Sequence, residues 1–353
     1  MKKFVLTICI PSVFLFVIFL FVPSVFAANH LHAFVYHRFG DNRYPSTNIS
    51  LADFSAQMRY LRDHDYRVMR AGEVIALLRE KKSLPPKTVV LTVDDAYKTF
   101  KSGAMPILRR YGFPVTLFVN TDSVGRKDSL DWDELRELVL EGVEIGNHTA
   151  THRSLAVQPA KESVSDFRQR LHTDLDRAQQ VLIRELGITP QLFAYPYGEY
   201  SLLAQEIVEE YGFLAAFAQY SGVIEKNNPL FALARTPLAG PYATLGQMQQ
   251  KLALRPMPVK VVAPADTLLD KENPPTLILE ILDPQLDIKT LRLFVNGQPG
   301  GMVQHDQQHP RRIIVRGDKV LGTGRSRYII TAPGREAGTY YAYTQFWLNR
   351  SRP

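Results

Sequence analysis

The chain has 353 residues, 45% of them apolar and 22% charged, with a formal net charge of +7. That length and balance imply one or two globular domains and exclude wholesale disorder. The charge is mild and scattered, without the dense Lys/Arg stripe or recognition motif of a nucleic-acid binder.

Lys2 and Lys3 precede an apolar stretch from Phe4 to Val22, broken only by Thr7, Pro11 and Ser12. Val25-Phe26-Ala27 then offers a cleavage site, so residues 1–27 read as a secretory signal peptide. The alternative is an inner-membrane anchor through residues 4–22, a run near bilayer-spanning length. Cys9, the single cysteine, lies inside this segment. The mature chain is therefore expected to lack disulfides, thiolate metal sites and cysteine nucleophiles. An exported chain without cysteines suits a bacterial periplasm or cell surface. Its mild positive charge suits an anionic envelope or a polysaccharide.

Residues 31–37 read as a short buried strand. A helix follows around Asp53 to Asp63, where Phe54, Met58 and Leu61 repeat at helical spacing and Ser50 or Asp53 can cap the start. Residues 88–93 are β-branched and continuously apolar, as in a strand covered on both faces. Next come a helix at 101–111, a strand at 115–120, a helix opened by Ser129 or Asp131 through Leu140, and a strand at 143–146. A long helix spans 162–186 and ends at Gly187. A strand at 191–195, a helix near 201–211 and a strand at 213–218 complete the alternation. Strands alternating with helices imply βα units and a parallel sheet, with polar residues at strand C-termini carrying the chemistry.

The pattern changes near residue 256, where Arg-Pro-Met-Pro at 255–258 reads as a linker. Beyond it, residues 276–282, 290–295, 312–315, 328–331 and 339–348 read as strands, with Asn296-Gly297 as a hairpin turn. Residues 28–256 and 257–353 are thus expected to form an α/β domain and a β-sandwich-like accessory domain. Arg311, Arg312, Arg316, Lys319, Arg325 and Arg327 suggest a basic cluster there that docks on a polymer or the envelope. The alternative is a sandwich that merely covers the first domain.

Three polar segments fall at successive strand ends: Asp94-Asp95, His148-Thr149-Ala150-Thr151-His152, and Tyr195-Pro196-Tyr197-Gly198. The two histidines lie four apart, so one helical turn would bring them onto one face and let them share a divalent cation. One neighbouring aspartate can serve as third ligand while the other faces the bound water.

Residues 88–198 resemble the NodB-type polysaccharide deacetylase domain, carbohydrate esterase family 4. Thr92-Val93-Asp94-Asp95-Ala96 matches its Thr-Phe-Asp-Asp-Gly motif. His148 to His152 match His-Ser/Thr-x-x-His, and Ala194-Tyr195-Pro196-Tyr197 falls on Arg-x-Pro-Tyr. The similarity is greatest to the subgroup that deacetylates poly-β-1,6-N-acetylglucosamine, and extends over roughly residues 30–240. Val93, Ala96 and Ala194 depart from the family, the last replacing the arginine that orients the base. No Leu-x-His motif follows residue 220; Leu233-Ala234-Arg235 stands in that region.

The resemblance implies a distorted (β/α) barrel and a metal site of Asp95, His148 and His152. Zinc is the default, with iron, cobalt or nickel as alternatives. It also implies Asp94 as general base toward metal-bound water, and the Tyr197 N–H as oxyanion donor. Tyr195 and Pro196 fall within the third motif and are expected at the substrate. His37, ending the first strand, is expected as a substrate contact or the acid. Arg235 would bind a sugar hydroxyl or replace the missing arginine, unless it forms a plain surface salt bridge. Trp132 would stack on a sugar ring or anchor its helix. The expected protein is a monomeric, exported, metal-dependent N-deacetylase of N-acetylhexosamine polysaccharide. The rivals are a deacetylase or esterase acting on peptidoglycan, chitooligosaccharide or O-acetyl groups, and a catalytically weak glycan-binding protein on the same fold.

Overall fold

The computed structural model describes residues 29–269, 272–298 and 300–350. Residues 1–27, expected as a signal peptide, therefore lie outside the described residues. Among those described, no helix is long and apolar enough to cross a membrane.

The first part runs β1 (His30–Tyr36), β2 (Arg38–Phe39), β3 (Asn48–Ile49), α1 (Leu51–Asp63), β4 (Arg67–Met69), α2 (Ala71–Arg79), β5 (Thr88–Asp94) and α3 (Met105–Tyr111). It continues with β6 (Thr116–Val119), α4 (Trp132–Leu140), β7 (Glu144–Asn147), α5 (Val164–Leu186), β8 (Leu192–Ala194), α6 (Leu202–Glu210), β9 (Ala215–Phe217), β10 (Ile224–Glu225), β11 (Thr236–Pro237) and α7 (Leu245–Leu252). The caps explain several boundaries. Ser50 accepts from the Asp53 N–H, Asp131 and Glu134 form a capping box, and Gly187 ends α5 in the left-handed conformation. The short elements β4, α2 and α7 had not been anticipated. The predicted helix at 101–111 begins with a π-turn at Phe100–Ala104 before α3.

β5, β6, β7, β8 and β9 pair in parallel, and β1 lies parallel beside β5. The segment after β10 closes the curl. Leu233 bridges to Phe217 of β9, and β11 pairs in parallel with β1. The result is the expected distorted barrel of the NodB type. Every residue of β5 is buried, as a strand covered on both faces requires. Phe34, Leu91, Val93, Phe54 and Met58 belong to the apolar layer between the sheet and the surrounding helices.

The remainder forms two four-stranded sheets. One has the order β12-β19-β18-β15 and the other β13-β14-β17-β16. Their strands are β12 (Leu254–Pro256), β13 (Val259–Ala263), β14 (Thr276–Ile281), β15 (Arg292–Val295), β16 (Gly301–His305), β17 (Arg312–Gly317), β18 (Gly324–Pro333) and β19 (Tyr340–Asn349). Alternate residues of both sheets enclose one core that includes Leu277, Leu279, Ile313, Val315, Tyr328, Ile330 and Trp347. Three expectations are corrected here. Half of the predicted linker at 255–258 is strand, since Arg255 and Pro256 belong to β12, which pairs with β19. Asn296-Gly297 does make a turn, but β15 and β16 on either side belong to different sheets and do not form a hairpin. The basic residues do not make one free patch. Arg311 donates to the carbonyls of Asp283 and Leu286, Arg316 pairs with Glu272, and Arg312 lies near Asp306.

Candidate active site

Asp94 is the last residue of β5, and the chain then turns sharply because Asp95 and Ala96 are both left-handed, with φ of 72° and 50°. The turn sends the two carboxylates in different directions. Asp94 points into the barrel. Arg235 meets it there with Nη1 2.6 Å from Oδ1 and Nη2 2.8 Å from Oδ2. The same guanidinium donates to Thr92 Oγ1 at 3.2 Å and to the Ala218 carbonyl at 3.0 Å, and is fully buried. Such a two-pronged pair fixes a carboxylate in orientation as well as charge. Burial alone would raise the Asp94 carboxyl, but Arg235, followed by His148, outweighs it and holds it down to about 2.

Asp95 turns toward two histidines, of which His148 is shared, its Nε2 also lying 4.0 Å from Asp94 Oδ2. His148 begins just past β7, and its N–H donates to the Val119 carbonyl. Its Nδ1 lies 2.7 Å from the Ala194 carbonyl, which assigns the proton to Nδ1 and leaves the Nε2 lone pair free. Burial pushes this imidazole down to about 4 despite the nearby carboxylates, so it is neutral at neutral pH. His148 Nε2 is 3.7 Å and His152 Nε2 3.2 Å from Asp95 Oδ1. That oxygen is buried and has no hydrogen-bond partner among the described residues. A carboxylate oxygen and two imidazole nitrogens within 4.8 Å of one another, with no donor to satisfy the oxygen, fit a divalent cation.

The two histidines do not lie on a helix, contrary to expectation. Residues 148–152 are an irregular loop with Thr149 at φ 66° and His152 at φ 58°. Side chains hold this loop instead. Asn147 Oδ1 accepts the Thr149 N–H at 2.8 Å, and Thr149 Oγ1 accepts the His152 N–H at 2.9 Å. From α5, Asp174 accepts both the N–H and the hydroxyl of Thr151, at 3.0 and 2.8 Å.

The third motif divides. Tyr197 is left-handed at φ 60°, 46% exposed, and sets its ring edge-on to His152 with centroids 4.6 Å apart. Tyr195 and Pro196 are buried, and the Tyr195 hydroxyl donates to the Phe231 carbonyl at 3.0 Å. Their expected contact with substrate is thus corrected to a role in packing. Arg235 is likewise no sugar contact and no surface salt bridge; it is buried and pairs with Asp94. Trp132 is half-buried against the barrel's outer apolar layer and anchors α4. His37 is half-buried, follows β1, and lies close enough to Asp94 to help lower its pKa; its Nδ1 is buried without a partner among the described residues. Tyr97 completes the rim, raised to about 12 by burial and then by Asp95, with the Arg38 guanidinium 3.4 Å above its ring.

The sequence does not single out Asp174, Tyr97 or Gln179, whose Oε1 accepts from the Asn147 amide at 2.9 Å. Asp174 and Gln179 sit on the polar and buried sides of a long helix with no local motif around them. A signal for Arg235 was present: an isolated cation inside the apolar run Leu230–Leu238, where burial demands a partner.

A family model described as polysaccharide deacetylase matches residues 81–216. The poly-beta-1,6-N-acetyl-D-glucosamine N-deacetylase of Escherichia coli (strain K12) is 25% identical over 316 residues, 78% of this chain and 47% of that protein. The protein of the same name from Staphylococcus aureus (strain MRSA252) is 26% identical over 177 residues, 48% of this chain and 61% of that one. Among solved structures, IcaB from Ammonifex degensii superposes with a TM-score of 0.55 at 26% identity, over 64% of this chain and 98% of that one. The Streptococcus pyogenes deacetylase PplD, in complex with acetate, shares the fold with a TM-score of 0.56 at 21% identity, over 63% of this chain and 98% of that one. Residues 81–216 thus match a polysaccharide deacetylase domain, and the fold around them is the one these solved deacetylases share. The chain spans about half to two thirds of the length of the curated relatives it matches.

Proposed function

We propose that the protein is a metal-dependent hydrolase that removes N-acetyl groups from an N-acetylhexosamine polysaccharide outside the cytoplasm, with a β-1,6-linked N-acetylglucosamine polymer as its substrate class. Residues 28–256 would form the catalytic domain and 257–353 the accessory domain, with the boundary at β12. The observation that carries the reading is the division of labour between adjacent carboxylates: Asp95 faces His148 and His152, while Arg235 holds Asp94. The names of the relatives support the substrate class.

Asp95, His148 and His152 would hold the cation, with zinc the first choice. A divalent cation there would act as a Lewis acid on the acetamide and lower the pKa of a water. Asp94, ionised because of Arg235, accepts the proton of the attacking water. A carboxylate held so low is a weak base, which is why this chemistry needs an acidified water. The Tyr197 N–H donates to the developing oxyanion, a type of contact that strengthens as charge appears. His37 supplies the proton to the leaving amine. The presence of Arg235 where the third motif lacks its arginine favours an active enzyme over a glycan-binding relic.

The test is acetate release by the purified full chain from a β-1,6-linked N-acetylglucosamine oligomer with zinc, beside a chelated sample and Asp94→Asn. Release that both chelation and Asp94→Asn abolish is expected. Zinc binding without release would redirect the substrate toward chitooligosaccharide or peptidoglycan. Absence of both would sink the hydrolase reading.

A further inference from the structure

We infer that the C-terminal sandwich completes the catalytic site, with Arg325 acting as a positioning residue for the turn that carries Tyr197. The inference rests on the reaction proposed above for the part Tyr197 plays. β18 of the sandwich runs along the rim of the barrel. Arg325 Nη1 donates to the Tyr197 carbonyl at 2.7 Å, and its Nε lies 3.8 Å from Glu199 Oε1. Two residues further along the strand, hence on the same face, Arg327 Nη2 donates to the Gln219 carbonyl at 3.4 Å.

These two carbonyls belong to the two sides of one close contact. Gly198, left-handed at φ 69°, packs so tightly on Gln219 that a Cβ there would lie 2.2 Å from the Gln219 nitrogen. The arginines therefore grip the Tyr197 turn and the strand end on which it rests. The sandwich holds the adjoining segments as well. Thr344 donates to the Ser221 carbonyl at 2.7 Å, Thr267 donates to the Tyr200 carbonyl, and Phe346 stacks on Tyr200 with centroids 5.6 Å apart.

The need for a grip follows from the backbone. A non-glycine residue at positive φ relaxes toward other conformations unless its surroundings hold it. With the Tyr197 carbonyl anchored on one side and its ring against His152 on the other, the Cα between them is held, and with it the position of the amide nitrogen relative to the two histidines. Arg325 itself is exposed, with 39% of its side chain accessible, and an exposed ion pair contributes little to global stability. Its removal therefore acts on the turn and not on the fold.

The experiment compares the wild-type full chain with Arg325→Ala, Arg325→Lys and Arg325→Gln. Two readouts are taken: hydrogen exchange across residues 195–200 and steady-state acetate release. Exchange in Arg325→Ala is expected to rise about tenfold or more, by local opening without global unfolding. Its kcat should fall about tenfold or more while KM stays within about twofold, as loss of transition-state positioning requires. Lysine should restore part of both. If alanine lowers global stability, glutamine, which keeps a donor, carries the same comparison. Unchanged exchange in the variants overturns the brace, whether or not the wild type turns over. Faster exchange with kcat at the wild-type value overturns the catalytic part of the inference. A silent wild type beside faster exchange in the variants would count against the proposed reaction while leaving the brace in place.

Discussion

Arg235 grips Asp94 with two nearly parallel hydrogen bonds of 2.6 and 2.8 Å, and the two residues are only 0% and 1% exposed. The pair spans the barrel, because Asp94 ends β5 whereas Arg235 sits on the segment that closes the curl between β9 and β1. Removing one partner leaves a buried charge with nothing opposite it, a loss of about 3–5 kcal/mol. Arg235→Met should lower unfolding stability by that order in urea denaturation. Arg235→Lys keeps the charge without the fork and should lose less. In the double variant with Asp94→Asn, much of the loss should return, since the stranded charge is gone. Strictly additive effects would show that the two residues do not act as a pair.

The loop between the two histidines depends on Asp174. This side chain is largely buried and takes both donors of Thr151, fixing the chain midway between His148 and His152. Arg177, 3.8 Å away, balances its charge. Asp174→Ala should free the loop and weaken zinc binding about 10–100-fold, the range found when groups supporting metal ligands are lost. Competition with a chelating dye measures this directly. Wild-type zinc affinity in the variant would show that the loop holds its shape without α5.

Much of this was legible in the sequence. The unbroken apolar run before Asp94-Asp95 announced a buried strand ending in chemistry, and the alternation of strands and helices announced a parallel sheet. What local spacing could not convey was long-range geometry. His148 and His152 share a site because two left-handed residues and three side-chain contacts bend the loop, and helical periodicity had nothing to do with it. Tyr195 falls inside a recognisable motif yet turns inward, packing on Phe193 and Tyr200 and donating to the Phe231 carbonyl, contacts that no local pattern conveys. Arg235 and Arg325 act on residues more than 120 positions away, a pairing written in the topology and not in any motif.

Gly198 and Gly212 are both left-handed, with φ of 69° and 99°, but they differ in surroundings. Nothing lies within 4 Å of a Cβ added at Gly212, whereas at Gly198 it would meet the Gln219 backbone at 2.2 Å. Gly212→Ala should cost only the left-handed penalty, about 1–2 kcal/mol. Gly198→Ala must also push the Tyr197 turn off the neighbouring strand end, and should cost clearly more as well as depressing acetate release. Equal urea midpoints for the two variants would contradict the tight contact.

His32, buried in β1, ties stability to pH. Burial, and then repulsion from His30 and Arg255, pushes its imidazole from the ordinary 6.5 down to about 3. Glu336 acts on His30 in the opposite sense, and Glu225 stands opposite His30 across the strand pair with β10. Between those two pKa values the unfolded chain binds a proton that the folded chain refuses. Stability from this group is therefore complete above pH 6.5 and drains away as the pH falls toward 3. At pH 4.5 the linkage amounts to about 2–3 kcal/mol. His32→Leu removes the proton site while keeping an apolar side chain in the strand. Urea denaturation of both proteins at pH 7.5 and 4.5 separates this group from the other buried histidines, which are common to both. The wild type should lose about 2–3 kcal/mol more than the variant between the two pH values. Parallel losses would mean that His32 is protonated in the folded state, and that β1 admits the charge its burial should exclude.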